Sequence, residues 1–335
     1  MKRRQFLKWT ALSSALAFKA SHACGQENVL LPKKPVSAQP TSNQEPTLSG
    51  APLLAQEPKK KVLYYDYSSG YIHDPTRDVD GKPGKCGSFF KAFGEKNGLD
   101  VVCTKDGNVF AEDLTQYSAI ILYTSGDLYV RNPRCPGNPV PAVTQEKLVD
   151  AVRAGVGLLS LHPTTDSWRC NGTAYVSKAT EEIYANDPVE IVTPFTKLVG
   201  GQFIIHGPQQ EAEVVFADPV ELPCLKAIPE KKYRVFEEWY CLKNLNPDMH
   251  VYLTLNTDGM KGDCYNRPPY PVVWARKEGK GVSAYSAFGH GPQQWDNPFI
   301  QNVSSDLLLL VSGKISTDLT PNMKTACPNA AIAHF

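Results

Sequence analysis

The feature that most restricts the fold of this chain is a run of short apolar segments, each followed by a stretch with helical spacing. Val62-Leu63-Tyr64-Tyr65-Asp66 reads as a buried strand that runs into the polar loop Tyr67-Ser68-Ser69-Gly70. Phe89, Phe90 and Phe93 then recur at helical spacing between Cys86 and Lys96, and Asn97-Gly98 closes that helix. Leu99 to Thr104 is the next strand, a short helix follows near Glu112, and Ala119 to Tyr123 is a third strand. Thr144 to Ala154 is an amphipathic helix opened by a Thr cap, and it turns through Gly155 into a strand from Val156 to Leu161. Strand, helix, strand, helix in this order implies an α/β domain with a parallel sheet and right-handed crossovers. Ligands of such sheets sit beyond the carboxyl ends of the strands.

The second half changes texture. Gln202 to Ile205, Ala212 to Phe216, Arg234 to Phe236, His250 to Leu255, Pro271 to Arg276 and Gly281 to Ser286 read as shorter strands, and a last helix runs from about Asn297 to Val311. Asp127 to Ala142 contains four prolines and reads as a surface loop. The expected domain spans residues 61–314, with a loose tail at 315–335. Residues 24–60, rich in Pro, Ser, Gln and Lys without periodicity, are expected to form a disordered linker.

Before the linker, residues 1–23 read as a leader. Arg3-Arg4-Gln5-Phe6-Leu7-Lys8 matches the twin-arginine pattern, and Ser21-His22-Ala23 is a small-residue end. Cleavage after Ala23 would place Cys24 first, which makes it a candidate lipid anchor. The expected location is therefore extracytoplasmic, periplasmic in a bacterial cell. Cysteine usage agrees, because the eight cysteines besides Cys24 are an even number suited to disulfides. None of them forms a C-x-x-C pair, so a zinc ribbon is unsupported.

With 35 basic and 34 acidic side chains, the chain has no net field to attract nucleic acid or a lipid surface. No G-x-G-x-x-G or P-loop occurs, so no nucleotide cofactor is indicated. Leu159-Ser160-Leu161-His162-Pro163-Thr164 carries neither Cys nor a G-x-S-x-G elbow, which disfavours covalent acyl chemistry. Small neutral ligands suit this balance best.

Of the seven histidines, four stand at strand ends or in loops after strands: His73, His162, His206 and His290. Imidazoles gathered on one rim hold a divalent metal, zinc or similar, or move protons near neutral pH. The bland alternative is four separately packed histidines satisfied by backbone. Glu237 and Glu238 end a predicted strand, and alternation sends one carboxylate toward the pocket and the other away. Glu238 is the candidate ligand or general base, with His73 and His162 as further catalytic candidates. Asp74 is placed to orient His73 or to cap a turn. Trp168, Trp239, Tyr240 and Trp295 offer flat faces of the kind that stack on sugar rings, although such residues more often fill cores.

Taken together, these segments resemble the ThuA-like, or trehalose-utilisation, proteins, which have a class I glutamine amidotransferase-like fold. The resemblance is carried by Gly70-Tyr71-Ile72-His73-Asp74, Gly155 to His162, Leu198 to His206, Phe236-Glu237-Glu238-Trp239-Tyr240, Pro271-Val272-Val273-Trp274, and Gly279-Lys280-Gly281 leading to Phe288-Gly289-His290-Gly291. It implies a flavodoxin-like, mostly parallel sheet flanked by helices, the loss of the amidotransferase thiol near His162, and a role with disaccharides or their oxidised 3-keto forms. Ile72 replaces a usual Arg, Glu237 a usual Asp and Ser160 a usual Gly, and Arg169 to Val192 looks like an insertion.

Two functions compete. One is an exported enzyme that acts on a disaccharide, glycoside or 3-keto sugar by metal-assisted proton abstraction or hydrolysis. The other is a carbohydrate-binding protein that keeps the pocket without turnover. Amidase activity on glutamine is disfavoured by the missing thiol.

Overall fold

The computed structural model describes residues 60–170 and 181–331. The expected leader and, apart from Lys60, the expected linker lie outside them. The strands are β1 (Lys60–Tyr65), β2 (Leu99–Thr104), β3 (Ala119–Leu122), β4 (Gly157–Leu161), β5 (Gln202–His206), β6 (Gln210–Phe216), β7 (Lys232–Glu237), β8 (Tyr240–Lys243), β9 (His250–Leu255), β10 (Tyr270–Glu278) and β11 (Gly281–Ser286). The α-helices are α1 (Lys85–Lys96), α2 (Thr144–Ala154), α3 (Pro194–Val199), α4 (Pro223–Lys226), α5 (Pro298–Val311) and α6 (Met323–Ala326).

Nine strands form one sheet in the order β2-β1-β3-β4-β11-β10-β9-β6-β7, and β5 pairs with β8 separately. The contacts of β1 with β2 and β3, of β3 with β4, and of β4 with β11 are parallel, and the remaining pairs are antiparallel. The parallel half is covered by helices: α1 packs on β2, α5 on β4 and β11, and α2 and α3 on β11. Every residue of β3 and β4 is therefore buried, as continuous apolar runs require. The antiparallel edge differs. In β6, Ala212, Val214 and Phe216 point inward while Glu211 and Val215 face solvent, the period-2 signature of a sheet wet on one side.

Several expectations are corrected. Thr144 does not cap α2; Val143 precedes the helix with φ 64°, and the Thr144 hydroxyl donates to the Pro141 carbonyl at 2.7 Å. The segment after Lys314, expected to be loose, packs against β9. Leu319, Met323, Cys327 and Ala330 are buried, and Asn322 bonds both the amide and the carbonyl of Val251. α3 and β8 were not foreseen; α3 is opened by the Thr193 hydroxyl, which accepts from the Thr196 amide at 3.1 Å. The eight described cysteines are free thiols, so the expected disulfide pairing is not formed among them. They are spread through the packing; Cys241, for example, donates to the Cys264 carbonyl at 3.1 Å. No helix among the described residues is long and apolar enough to cross a membrane.

One glycine shows how tightly the parallel half closes. A Cβ on Gly157 would stand 2.0 Å from the Val311 carbonyl oxygen, where β4 begins under the end of α5. Neither backbone can move without shifting a central element. Gly157→Ala is expected to cost about 1–3 kcal/mol or more, read as a lower urea midpoint at unchanged slope. An unaltered midpoint would contradict this packing.

Candidate functional site

The carboxyl ends of β1, β4, β7 and β11 lie along one rim, and the loops after them carry the site. β4 runs directly into a 3-10 turn, His162–Asp166. His162 sits at the corner with φ 33°, in the left-handed region, a conformation that costs an L-residue on the order of 1 kcal/mol. Surrounding bonds hold it there. Its Nδ1 lies 2.8 Å from the Ala287 carbonyl, and its own carbonyl accepts the Tyr285 hydroxyl at 3.0 Å. With Nδ1–H donating to Ala287, Nε2 is left as an inward-facing lone pair.

His73 follows the β1 loop, and its carbonyl accepts both the amide and the hydroxyl of Thr76, at 3.1 and 2.7 Å. Its ring is buried against those of His162 and His290, with centroids 5.2 and 5.1 Å away. Its Nδ1 is buried and finds no hydrogen-bond partner among the described residues. His290 comes from the loop after β11. There Gly289 has φ 105° and a Cβ would meet Trp295 at 2.7 Å, so the turn demands glycine.

That loop is clamped from both sides. The Gly289 carbonyl accepts Tyr123 Oη at 2.8 Å and Trp295 Nε1 at 3.1 Å. The Gly289 and His290 amides donate to Glu237 at 2.5 and 3.3 Å. Glu237 is fully buried because alternation along β7 turns Val235 and Glu237 inward and Phe236 outward. Burial pushes its carboxyl up to about 8 against the opposing pull of the Gly289, His290 and Glu238 amides.

Glu238 also faces inward, because the strand ends at Glu237 and alternation stops there. One carboxylate was expected to point away; instead both are buried, with different partners. Glu238 Oε2 lies 3.0 Å from His290 Nδ1 and 3.7 Å from His162 Nε2, and its Oε1 lies 3.5 Å from His206 Nδ1. Burial raises its pKa, but hydrogen bonds and charge from His162 and His290 outweigh that and hold the carboxyl well below the usual carboxylate range. His73 is held well below the ordinary imidazole value by burial first and then by the neighbouring His162 and His290. Burial also lowers His162, against the pull of Glu238. Lowered basicity at His73 and His162 beside a carboxyl held ionised favours metal ligation, which needs deprotonated ligands.

The ligand atoms of His73, His162, Glu238 and His290 all lie within 4.8 Å of one another. Three nitrogens and one oxygen in that space fit a divalent transition metal. The surroundings fit it as well: His162 is oriented by a carbonyl, and His290 Nε2 meets the Gln209 side-chain amide at 2.9 Å.

His206, expected among the ligands, sits at the edge of this set. It stacks on Tyr240 at 5.8 Å and 13°, reaches Glu238, and its side chain is 29% exposed. Tyr240 forms a wall, packed on the His162 ring at 4.5 Å with its hydroxyl 3.5 Å from His73 Nε2. Asp74 is not an orienting residue, because its exposed carboxylate pairs with Arg77 at 2.8 Å. Trp239 and Trp295 are core residues, buried to 0% and 1% exposure with Nε1 bonded to the Gln210 and Gly289 carbonyls. Trp168 is also buried, against Tyr129 and Phe195.

Asp166 and Arg169, which sequence reasoning passed over, extend the rim from His162. They form an ion pair at 3.0 Å, and burial pushes Asp166 up to about 6. Their only sequence signal was closeness to His162.

The fold is similar to two solved structures. A ThuA-like protein from Bacteroides uniformis aligns with TM-score 0.51 and 19% identity, over 77% of this chain and 94% of that one. A ThuA-like protein from Parabacteroides merdae aligns with TM-score 0.50 and 17% identity, over 81% of this chain and 97% of that one. No curated protein matches the sequence. The profile of the ThuA family, described as trehalose utilisation, matches residues 61–306. That span takes in β1, the loops bearing His73, His162, Glu238 and His290, and most of α5, and on it the chain belongs to the ThuA family.

Proposed function

We propose that this chain is an exported enzyme acting on a disaccharide, a glycoside or a 3-keto sugar derivative, with a divalent metal held by His73, His162, Glu238 and His290. The observation that carries the reading is the convergence of three imidazoles and a carboxylate from four separate loops within 4.8 Å. Independent packing of each ring does not require that meeting. The family description, trehalose utilisation, supports a sugar substrate.

A bound ion would supply Lewis acidity, lowering the cost of negative charge on a substrate oxygen. The chain's own groups do the rest. His206 is the residue placed to take a proton from carbon beside a carbonyl, being partly exposed and able to share charge with Glu238 Oε1 at 3.5 Å. Tyr240 keeps the inner wall dry. Glu237 fixes the loop that carries His290. The leader expected at residues 1–23, with Cys24 as a candidate lipid anchor, places this chemistry outside the cytoplasm in the proposal.

The test is to incubate zinc-loaded protein with 3-keto-trehalose in deuterated water and follow the sugar by NMR. The reading expects deuterium at carbon flanking the carbonyl or cleavage of the glycosidic bond, lost in His206→Ala and His162→Ala. Binding without exchange or consumption would favour the carbohydrate-binding alternative.

A further inference from the structure

Beside the histidine cluster lies an open pocket that none of these roles uses. It is a half-open depression of about 470 Å³ between the loop after β1, through Ser69, Tyr71 and Ile72, and the side chains of Arg77, Asn132 and Arg134. Tyr71 is 65% exposed, more than any other large aromatic side chain among the described residues. Its ring meets that of His73 at 85° with centroids 4.8 Å apart. The cavity and the candidate metal cluster therefore share a wall.

The exposed ring stands on a rigid base. Ser125 Oγ donates to the Tyr71 carbonyl at 2.8 Å, and the Ser69 and Gly70 amides both donate to the Ser125 carbonyl at 3.0 Å. Asn132 Nδ2 bonds the Ser68 and Gly70 carbonyls at 3.0 and 3.2 Å. Gly126, at φ 79°, packs so closely that a Cβ would stand 2.5 Å from the Gly70 amide. A flat amphipathic ring carried on backbone held this firmly, with only two side-chain torsions of its own, loses little freedom when a ligand covers it. Guanidinium groups nearby offer N–H donors to hydroxyl oxygens.

The geometry points to a subsite for a second, non-reacting sugar ring, with Tyr71 as its stacking platform and Arg134 as a hydrogen-bond donor. This rests on the carbohydrate reading above and deepens it: the substrate is a disaccharide or a glycoside of comparable length, and not a single sugar. Tyr71 and Arg134 are specificity residues, since neither belongs to the histidine cluster.

The experiment is calorimetric titration of the zinc-loaded protein with trehalose and, separately, with glucose. Tyr71→Ala is expected to weaken trehalose about tenfold while changing glucose less than about twofold, with Tyr71→Phe restoring wild-type affinity. Arg134→Ala, whose exposed side chain carries no fold risk, is expected to weaken trehalose alone by a smaller factor. Unchanged trehalose affinity in both alanine variants, or equal losses for the two sugars, overturns the subsite while leaving the carbohydrate reading in place. A wild-type protein that binds neither sugar overturns the subsite, while the carbohydrate reading stands or falls on the 3-keto-trehalose experiment.

Discussion

His162→Ala is expected to weaken zinc binding by more than about 100-fold, measured by competition with a chelating dye on protein first stripped of metal. Changes in groups that only orient a ligand cost roughly 10–100-fold in affinity, and His162 Nε2 is itself a candidate ligand within 4.8 Å of the other three. The backbone supplies an internal control. At φ 33°, alanine keeps the left-handed penalty that histidine bears, whereas glycine is free of it. The metal-free His162→Gly variant is therefore expected to be more stable than His162→Ala by about 1 kcal/mol, although both bind zinc equally poorly. Equal zinc affinity in wild type and His162→Ala would remove His162 from the ligand set.

Glu237→Ala is expected to damage both stability and metal binding without touching a ligand. The change leaves the Gly289 and His290 amides buried without their acceptor and opens a gap beneath the loop. Each unsatisfied buried donor costs about 1–3 kcal/mol, so a total of about 3–5 kcal/mol is expected in urea unfolding. His290 rides on the released loop, and zinc affinity should fall by roughly 10–100-fold as well. Glu237→Gln keeps one accepting oxygen in the same place. It sets an N–H2 where Oε2 accepts the His290 and Glu238 amides, so Glu237→Gln should recover only part of both losses. A Glu237→Ala protein with full zinc affinity would show that the loop holds its shape without the clamp.

How far the sequence carried this reading depended on the element. The parallel half was legible because β1 and β3 carry continuous apolar runs and α1 and α2 show an apolar stripe. β2, β9 and β11 begin and end where the residues alone place them. Short elements with mixed patterns were not legible: β8 lies two residues beyond β7, and α3 is only six residues long.

At the site, strand ends gave the histidines, since in a parallel sheet those ends share a rim. They could not give His206 its place, because β5 pairs only with β8 and sits outside the main sheet. Nor could they show that Glu237 and Glu238 both turn inward, because period-2 alternation is a rule for residues inside a strand and β7 stops at Glu237. The tryptophans misled for a related reason. A large aromatic residue beside a site has the same sequence signal whether its face is open or packed, and Trp239 and Trp295 are packed. The exposed ring at the mouth is Tyr71, within the segment that carries His73.

The most direct test of the central claim is X-ray absorption at the zinc edge on protein loaded with one equivalent of the metal. Side chains from four loops meeting around one ion predict a shell of nitrogen and oxygen near 2.0–2.1 Å with scattering from three imidazole rings. That scattering should fall by one ring in His73→Ala, His162→Ala and His290→Ala alike. A first shell of water, a shell containing sulfur, or ring scattering that survives all three substitutions would contradict the account.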